Sequence, residues 1–222
     1  MASDKLLRLV SDCLDPITPL LYQDTATALI NSESRVGDLV RRGHLHLRSL
    51  TVRAEVRAQL EDQALGDWVV GGDPHLMGQL YLRHPLTGVT LRMLKERRRT
   101  FPGGVPPAGH NRARRQYWSQ PVVTGLVVPD QPITREVTDD IKLLLLWDLT
   151  KPGDLDAGFS LRVVKTLGPG KFGSAVPIDF SLPLTAQGGA WASLEFPSDD
   201  DYQDFFQIDT EEESDDGEAT AL

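Results

Sequence analysis

The sequence predicts an α+β protein in which an N-terminal helical segment packs on a mainly antiparallel β-sheet, with a disordered acidic C-terminal tail. Apolar residues recur at helical spacing to about residue 64, and from residue 67 they alternate or run together at strand length. Residues 198–222 carry eleven acidic residues and no basic one. Short strands with turn-length connections favour antiparallel pairing, so helices grouped at one end of the chain indicate α+β.

The domain organisation follows from the same pattern. The chain has 222 residues, and no linker divides the first 195 of them. We therefore expect one domain, with a helical part over residues 1–65 and a β-rich part over residues 66–197. Residues 198–222 form the acidic tail.

The first predicted helix begins at Ser3 or Asp4, whose side chains can cap a first turn, and ends before Pro16. Cys13 lies on its apolar side and is interpreted as a core thiol rather than a nucleophile. A single cysteine excludes an internal disulfide framework.

Two further helical stretches are predicted before the sheet. Residues 20–30 are apolar and alanine-rich, and residues 31–34 form a good N-cap sequence, which predicts that a new helix begins there. Beyond it, apolar spacing predicts one long helix or two consecutive helices to about residue 64, with Gly37 and Gly43 as weak points.

The β-rich part contains several strand-length apolar segments. Two turns are predicted to close hairpins, one at residues 84–88 and one at residues 154–158. Alternation along the most apolar strand predicts that Leu143, Leu145 and Trp147, or their alternating neighbours, face the helices. The predicted strands cover residues 68–70, 79–83, 89–94, 121–128, 141–149, 159–164 and 176–182.

Charge is unevenly distributed along the chain. The net charge is −9, yet residues 66–128 carry nine basic and three acidic residues. Their net charge is therefore +6, whereas that of the tail is −11. A basic surface attracts polyanions, and a tail of opposite sign can compete for it.

The positive charge is concentrated in one segment, residues 92–118, which we call the basic arc. A strand is predicted to lead into a Pro/Gly-rich loop, after which Asn111 caps a short helix over residues 112–118. Guanidinium groups around such a loop can hold phosphates while Tyr117 or Trp118 stacks on a base or packs inward. The candidate anion-binding residues are Arg92, Lys95, Arg97, Arg98, Arg99, Arg112, Arg114, Arg115 and Trp118.

Three functions are compatible with this pattern. The first is a non-enzymatic binding module that contacts nucleic acid, DNA or RNA, or another polyanion through the basic arc. The second is an adaptor subunit whose tail docks on a protein partner or on a second copy of the chain. Apolar residues of the tail that suit such docking are Tyr202, Phe205, Phe206 and Ile208. The alternative without a ligand is that the arc is a solvated basic edge that keeps a strand from pairing with other chains.

The third function is a metal-dependent nuclease. Asp130, Asp140 and Lys142 have the outline of a site in which two carboxylates hold a divalent cation beside a lysine. The segment between the two aspartates is too short for a normal strand pair and turn, so we predict that these residues do not form a catalytic site.

Other motifs predict no chemistry. His44 and His46, two apart on a predicted helix, point in different directions, and Gly168–Gly173 lacks the Lys-Ser/Thr ending of a phosphate loop. We therefore expect no metal and no cofactor. With no signal-like start and no apolar run of membrane-spanning length, the sequence predicts a soluble cytoplasmic protein that does not contact a membrane.

Overall fold

A computed structural model describes residues 4–98, 100–120 and 140–187 of the protein. In chain order, these residues contain helices α1 (Asp4–Leu14), α2 (Thr18–Arg41) and α3 (Leu45–Glu61), then strands β1 (Val69–Gly71), β2 (Tyr81–His84) and β3 (Val89–Lys95), helix α4 (Arg112–Trp118), and strands β4 (Lys142–Lys151), β5 (Asp154–Thr166) and β6 (Ile178–Leu184). The predicted strand at residues 121–128 and the tail lie outside the described residues.

The six strands form one sheet whose spatial order follows the chain, β1 to β6. Every neighbouring pair is antiparallel except β3 and β4, which are parallel with Thr90 opposite Lys142 and Lys95 opposite Trp147. The prediction of an α+β fold with a mainly antiparallel sheet is therefore confirmed. The parallel pair arises because the connection that contains α4 returns the chain to the end of the sheet where β3 began.

Helices α1, α2 and α3 cover one face of the sheet and form the larger core with it. Leu143, Leu145 and Trp147 of β4 belong to this core, which decides between the two alternating sets that the sequence left open. Each large apolar side chain removed from water in this way contributes about 1.5–3 kcal/mol. Cys13 is also buried here, and burial raises the pKa of its thiol, in keeping with a core role.

The opposite face of the sheet carries a smaller core under α4 and the loop that precedes it. Leu144 and Leu146 of β4 pack here, against Val105, Ala108 and Trp118. Strand β4 is thus covered on both faces, which explains its continuous run of apolar residues.

Helix α2 does not end where the sequence predicted. Residues 31–34 lie inside it, where the Ser32 hydroxyl donates to the Leu29 carbonyl (2.8 Å) and the Asn31 amide donates to the Glu55 carboxylate (3.0 Å). Asn31 thus connects α2 to α3, and Ser32 binds the backbone of α2 itself. Neither side chain caps a new helix. The break comes at Gly43, one of the two predicted weak points, where φ is 101°.

One of the two predicted hairpin turns is also displaced. The turn at residues 84–88 is present, closed by a bond from the Gly88 amide to the His84 carbonyl (2.9 Å). Residues 154–158, in contrast, lie in β5, which pairs with β4 as early as Asp154 opposite Lys151. The turn is formed by Pro152 and Gly153.

Because of a register shift between β5 and β6, the side chains of β6 on either side of the shift point to opposite faces of the sheet from those that strict alternation would give. Lys165 pairs with Phe180, whereas Thr166 pairs with Ile178, so Asp179 is an extra residue on β6. The bulge places the Asp179 carboxylate 2.7 Å from the Lys165 ammonium, and both side chains are almost completely buried. Phe180 then joins the larger core and Ile178 the smaller one.

Asp24, a buried carboxylate on α2, should make stability depend on pH. Gln63 donates to one of its oxygens (3.2 Å), while the other is buried without a hydrogen bond. Burial raises the pKa of Asp24, so the stability that it contributes is present below its unfolded pKa of about 3.9 and is lost as pH rises through the higher folded value. We expect Asp24→Asn to stabilise the protein by about 1 kcal/mol at neutral pH.

That gain should shrink towards zero as the pH is lowered well below about 3.9, where Asp24 is protonated in the unfolded as well as in the folded state. Urea unfolding of the wild type and of Asp24→Asn, from neutral pH down to this acidic range, measures the difference in stability. The exposed Asp12→Asn serves as the control and should show no such trend. A gain that is the same at every pH would contradict the assignment.

Candidate anion-binding surface

Helix α4 is formed and anchored by local signals within the basic arc. Asn111 caps it as predicted, its side-chain oxygen accepting from the Arg114 amide (3.1 Å). The Tyr117 hydroxyl lies 2.9 Å from the Leu143 carbonyl and 3.1 Å from that of Thr90, so it bridges the parallel strands β3 and β4. Trp118 Nε1 donates to the Pro106 carbonyl (3.0 Å) and closes the preceding loop onto the helix.

Both aromatic residues of α4 pack inward. Trp118 is fully buried and Tyr117 is 9% exposed. Of the two roles considered for these rings, stacking on a base or packing inward, the structure therefore shows the second. Trp118, a predicted nucleic-acid contact, instead supports the arginines above it.

Two arginines of the arc lie on the aromatic rings. Arg92 is opposite Tyr81 in the strand pair β2–β3, and its guanidinium carbon lies 5.4 Å from the ring centroid of Tyr81, 6.0 Å from that of Tyr117 and 5.5 Å from that of Trp118. The guanidinium carbon of Arg114 lies 5.2 Å from the Trp118 centroid. Such cation–π contacts hold the two cations on one platform.

A third arginine comes from a different part of the chain. Arg53 of α3 donates from Nη2 to the Met77 carbonyl (2.8 Å). Burial lowers the pKa of its guanidinium, and the charges of Arg92 and then Arg114 lower it further. We call Arg53, Arg92 and Arg114 the arginine cluster. Arg53 was missed because it lies 39 residues before Arg92 and no local motif links it to the arc.

The arginine cluster has little internal compensation. The pKa of Arg114 is lowered by burial and then by the charge of Arg92. The Nε atoms of Arg53 and Arg114 are buried and have no hydrogen-bond partner. Among the residues that the structure describes, no carboxylate forms an ion pair with any of the three.

The other end of the arc is largely neutralised, in contrast. Glu96 is almost completely buried and binds the guanidinium groups of both Arg98 and Arg162. Arg162 of β5 also donates to the Gly103 carbonyl (2.6 Å) and so holds the loop after β3 on the sheet. Arg98, a predicted anion contact, thus has an internal partner that sequence reasoning missed.

Lys95 and Arg97 also differ in whether a carboxylate lies beside their charge. The Lys95 ammonium lies 5.5 Å from the Trp147 ring centroid and 4.0 Å from the Asp148 carboxylate, and burial lowers its pKa. Arg97 is exposed and forms no ion pair within the described part of the chain. Arg99 lies outside the described residues.

The outer side of α4 carries two more exposed arginines. Arg112 and Arg115 line a shallow, open cleft of about 470 Å³ together with His110, Gln116 and Ser119. Within the described ranges, neither arginine has an ion-pair partner. They are free to contact an anion in solution.

The proposed nuclease residues are only partly described. Asp140 is exposed, has a φ of 46°, and lies 3.9 Å from the Lys142 ammonium. Asp130 is outside the described residues, so the expectation that the three residues do not form a catalytic site stays a prediction. Over residues 4–98, 100–120 and 140–187, no cluster of three His, Cys, Asp or Glu side chains suits a metal ion.

Two further findings concern membrane-spanning helices and similarity to known proteins. Among the described helices, none has the length and apolar character needed to cross a bilayer. No protein-family model, curated protein sequence or solved structure matches the chain.

Proposed function

We propose that the protein is a non-enzymatic, cytoplasmic binding module that contacts nucleic acid or another polyanion through β3, the loop after it and α4. The observation that carries this proposal is a set of arginines without a carboxylate partner among the described residues. These are Arg92, Arg97, Arg112, Arg114 and Arg115.

The distribution of these arginines suits a ligand with repeated negative charges. Arg112 and Arg115 are exposed on the outer side of α4, while Arg92 and Arg114 are held on the aromatic rings. Phosphate contacts of this kind release counterions, so binding weakens steeply as salt rises. Because Tyr117 and Trp118 are buried, we expect backbone contacts and little dependence on base sequence.

The tail is the natural competitor for the same surface. Its eleven acidic residues can imitate a run of phosphates, and deleting residues 198–222 should therefore tighten polyanion binding. The adaptor function depends on Tyr202, Phe205, Phe206 and Ile208, which lie outside the described residues.

Binding of labelled single-stranded and duplex DNA and RNA, measured by fluorescence anisotropy, tests the proposal. Between about 50 and 200 mM salt we expect a slope of log K against log salt of roughly −3 to −5. Arg112→Gln with Arg115→Gln should make the slope shallower by about two units, because two phosphate contacts are lost. These side chains are exposed, so the fold should be unaffected.

Arg8→Gln with Arg42→Gln is the control, since it removes the same charge from exposed positions in the helical part. It should leave the slope unchanged. If neither the full chain nor the chain without its tail binds any of these nucleic acids at low salt, the proposal is wrong.

A further inference from the structure

One aromatic side chain, Phe172, is exposed next to the basic arc. It is 83% exposed, although a ring of this size is usually buried. It lies in the loop between β5 and β6, within the Gly168–Gly173 motif that lacks the ending of a phosphate loop. Single exposed apolar side chains are common on protein surfaces, so the contacts and neighbours of Phe172 decide what it can do.

The loop that carries Phe172 is connected at its tip and at its base. The Ser174 amide donates to the Lys171 carbonyl (3.3 Å) and closes a turn with Phe172 at its tip. At the base, the Ala108 amide donates to the Pro169 carbonyl (2.8 Å) and joins this loop to the Pro/Gly-rich loop of the basic arc. A ring presented by a connected loop loses little conformational freedom when it binds a ligand.

The Phe172 ring lies against a residue of the basic arc. It contacts the ring of Phe101 edge to face, with centroids 5.5 Å apart and an interplanar angle of 88°. Phe101 is buried, and its amide donates to the Arg97 carbonyl (2.9 Å). A buried ring thus supports the exposed one, while most of the Phe172 surface stays open to solvent.

Exposed cations accompany this ring. Lys171 precedes it directly in the chain, and Arg97 is linked to the supporting Phe101 through the backbone. Within the described ranges, neither side chain forms an ion pair with a carboxylate. An aromatic ring among exposed cations suits a ligand that carries both negative charge and flat apolar faces. Single-stranded nucleic acid has both properties.

We propose that Phe172 is a base-stacking residue of this surface and that the preferred ligand is single-stranded nucleic acid. The inference rests on the proposed function, which it deepens by naming the class of nucleic acid. Bases of a duplex are already stacked and paired, whereas those of a single strand are open to an aromatic ring. Because every base has a flat face, the contact favours single strands without selecting a sequence.

Fluorescence anisotropy of the full chain with labelled oligothymidylate, and with a duplex of equal length, tests the assignment. Phe172→Ala should weaken binding of the single strand about tenfold, since one stacking contact is lost. Binding of the duplex should stay within about twofold, and the slope of log K against log salt should not change, because no charge is removed.

Two further substitutions separate stacking from simple apolar contact. Phe172→Tyr keeps an aromatic ring and should bind the single strand as the wild type does. Phe172→Leu keeps an apolar side chain without a flat ring and should lose most of the affinity that Phe172→Ala loses.

Leu86→Ala is the matched control. It removes another apolar side chain, 75% exposed, from the turn at residues 84–88 outside the basic arc. It should leave the affinities for the single strand and the duplex unchanged. Thermal unfolding should show that Phe172→Ala is as stable as the wild type, since its ring is mostly in water.

A strand of abasic sites removes the bases and keeps the phosphates. The wild type should bind it about tenfold more weakly than oligothymidylate of the same length. Phe172→Ala should bind the two strands about equally, because it has no ring on which a base can stack.

The outcomes separate this inference from the proposed function. Full single-strand affinity in Phe172→Ala or in Phe172→Leu, or equal wild-type binding of the abasic strand, would overturn the stacking assignment. Salt-dependent binding would in that case still support the module. If no nucleic acid binds at low salt, both proposals are wrong. Self-association that Phe172→Ala abolishes, measured by sedimentation, would then identify the ring as a protein contact.

Discussion

Replacing Glu96 by glutamine should lower the free energy of unfolding by about 3 kcal/mol, because it removes the carboxylate charge of a buried ion pair. Glu96 is fully enclosed and binds Arg98 and Arg162. Gly104, with a φ of 76°, leaves room for this group, since a Cβ atom there would lie 2.9 Å from a Glu96 oxygen. Removing the charge leaves Arg162, with only 18% of its side chain exposed, without its ion-pair partner.

Urea unfolding measures this loss. Glu61→Gln is the control, because the Glu61 carboxylate that pairs with Arg57 is 49% exposed, and such i,i+4 pairs on a helix are worth about half a kcal/mol at most. A loss below about 1 kcal/mol for Glu96→Gln would show that the carboxylate is not structural.

The second large effect should come from Lys165 and Asp179 at the β5–β6 bulge. Lys165→Met leaves the buried Asp179 carboxylate without its lysine and should cost about 3–5 kcal/mol. Lys165→Met with Asp179→Leu removes both charges and should recover most of that loss, since apolar replacement of a buried pair is often nearly neutral.

A double-mutant cycle with the two single variants measures the coupling between the positions. Residues that form one buried pair should show an interaction energy of about 2 kcal/mol or more. Losses that simply add would mean that the two side chains contribute independently, and the bulge would then have no electrostatic role.

Features set by neighbouring residues were predicted closely. The Asn111 cap and the seven-residue helix that follows it depend on local hydrogen bonds, and they agree with the sequence prediction. The division of β4 into two alternating sets was also predicted, because alternation within one strand is a local property, but it left open which set faces the helices. The confirmed α+β class was predicted from local patterns too, namely the helical and strand-like spacing of apolar residues.

Features set by distant partners were not predictable. Asn31 is a good capping residue by itself, and only its contact with Glu55 of α3 shows why α2 continues through it. Arg98 resembles the other arginines of the arc until buried Glu96 and distant Arg162 are placed beside it. The influence of the charges of Arg92 and Arg114 on Arg53 of α3 arises through tertiary structure alone.

The single parallel pair has a consequence for how the chain folds. Strands β1 to β3 and β4 to β6 each form from near neighbours in sequence, but Thr90 meets Lys142 across a separation of 52 residues. Closing that distance costs chain entropy before any contact between β3 and β4 offsets it. We therefore expect the joining of two preformed antiparallel units along β3 and β4 to limit the folding rate. Variants that weaken this seam should slow refolding, whereas variants at the β5–β6 bulge should mainly speed unfolding.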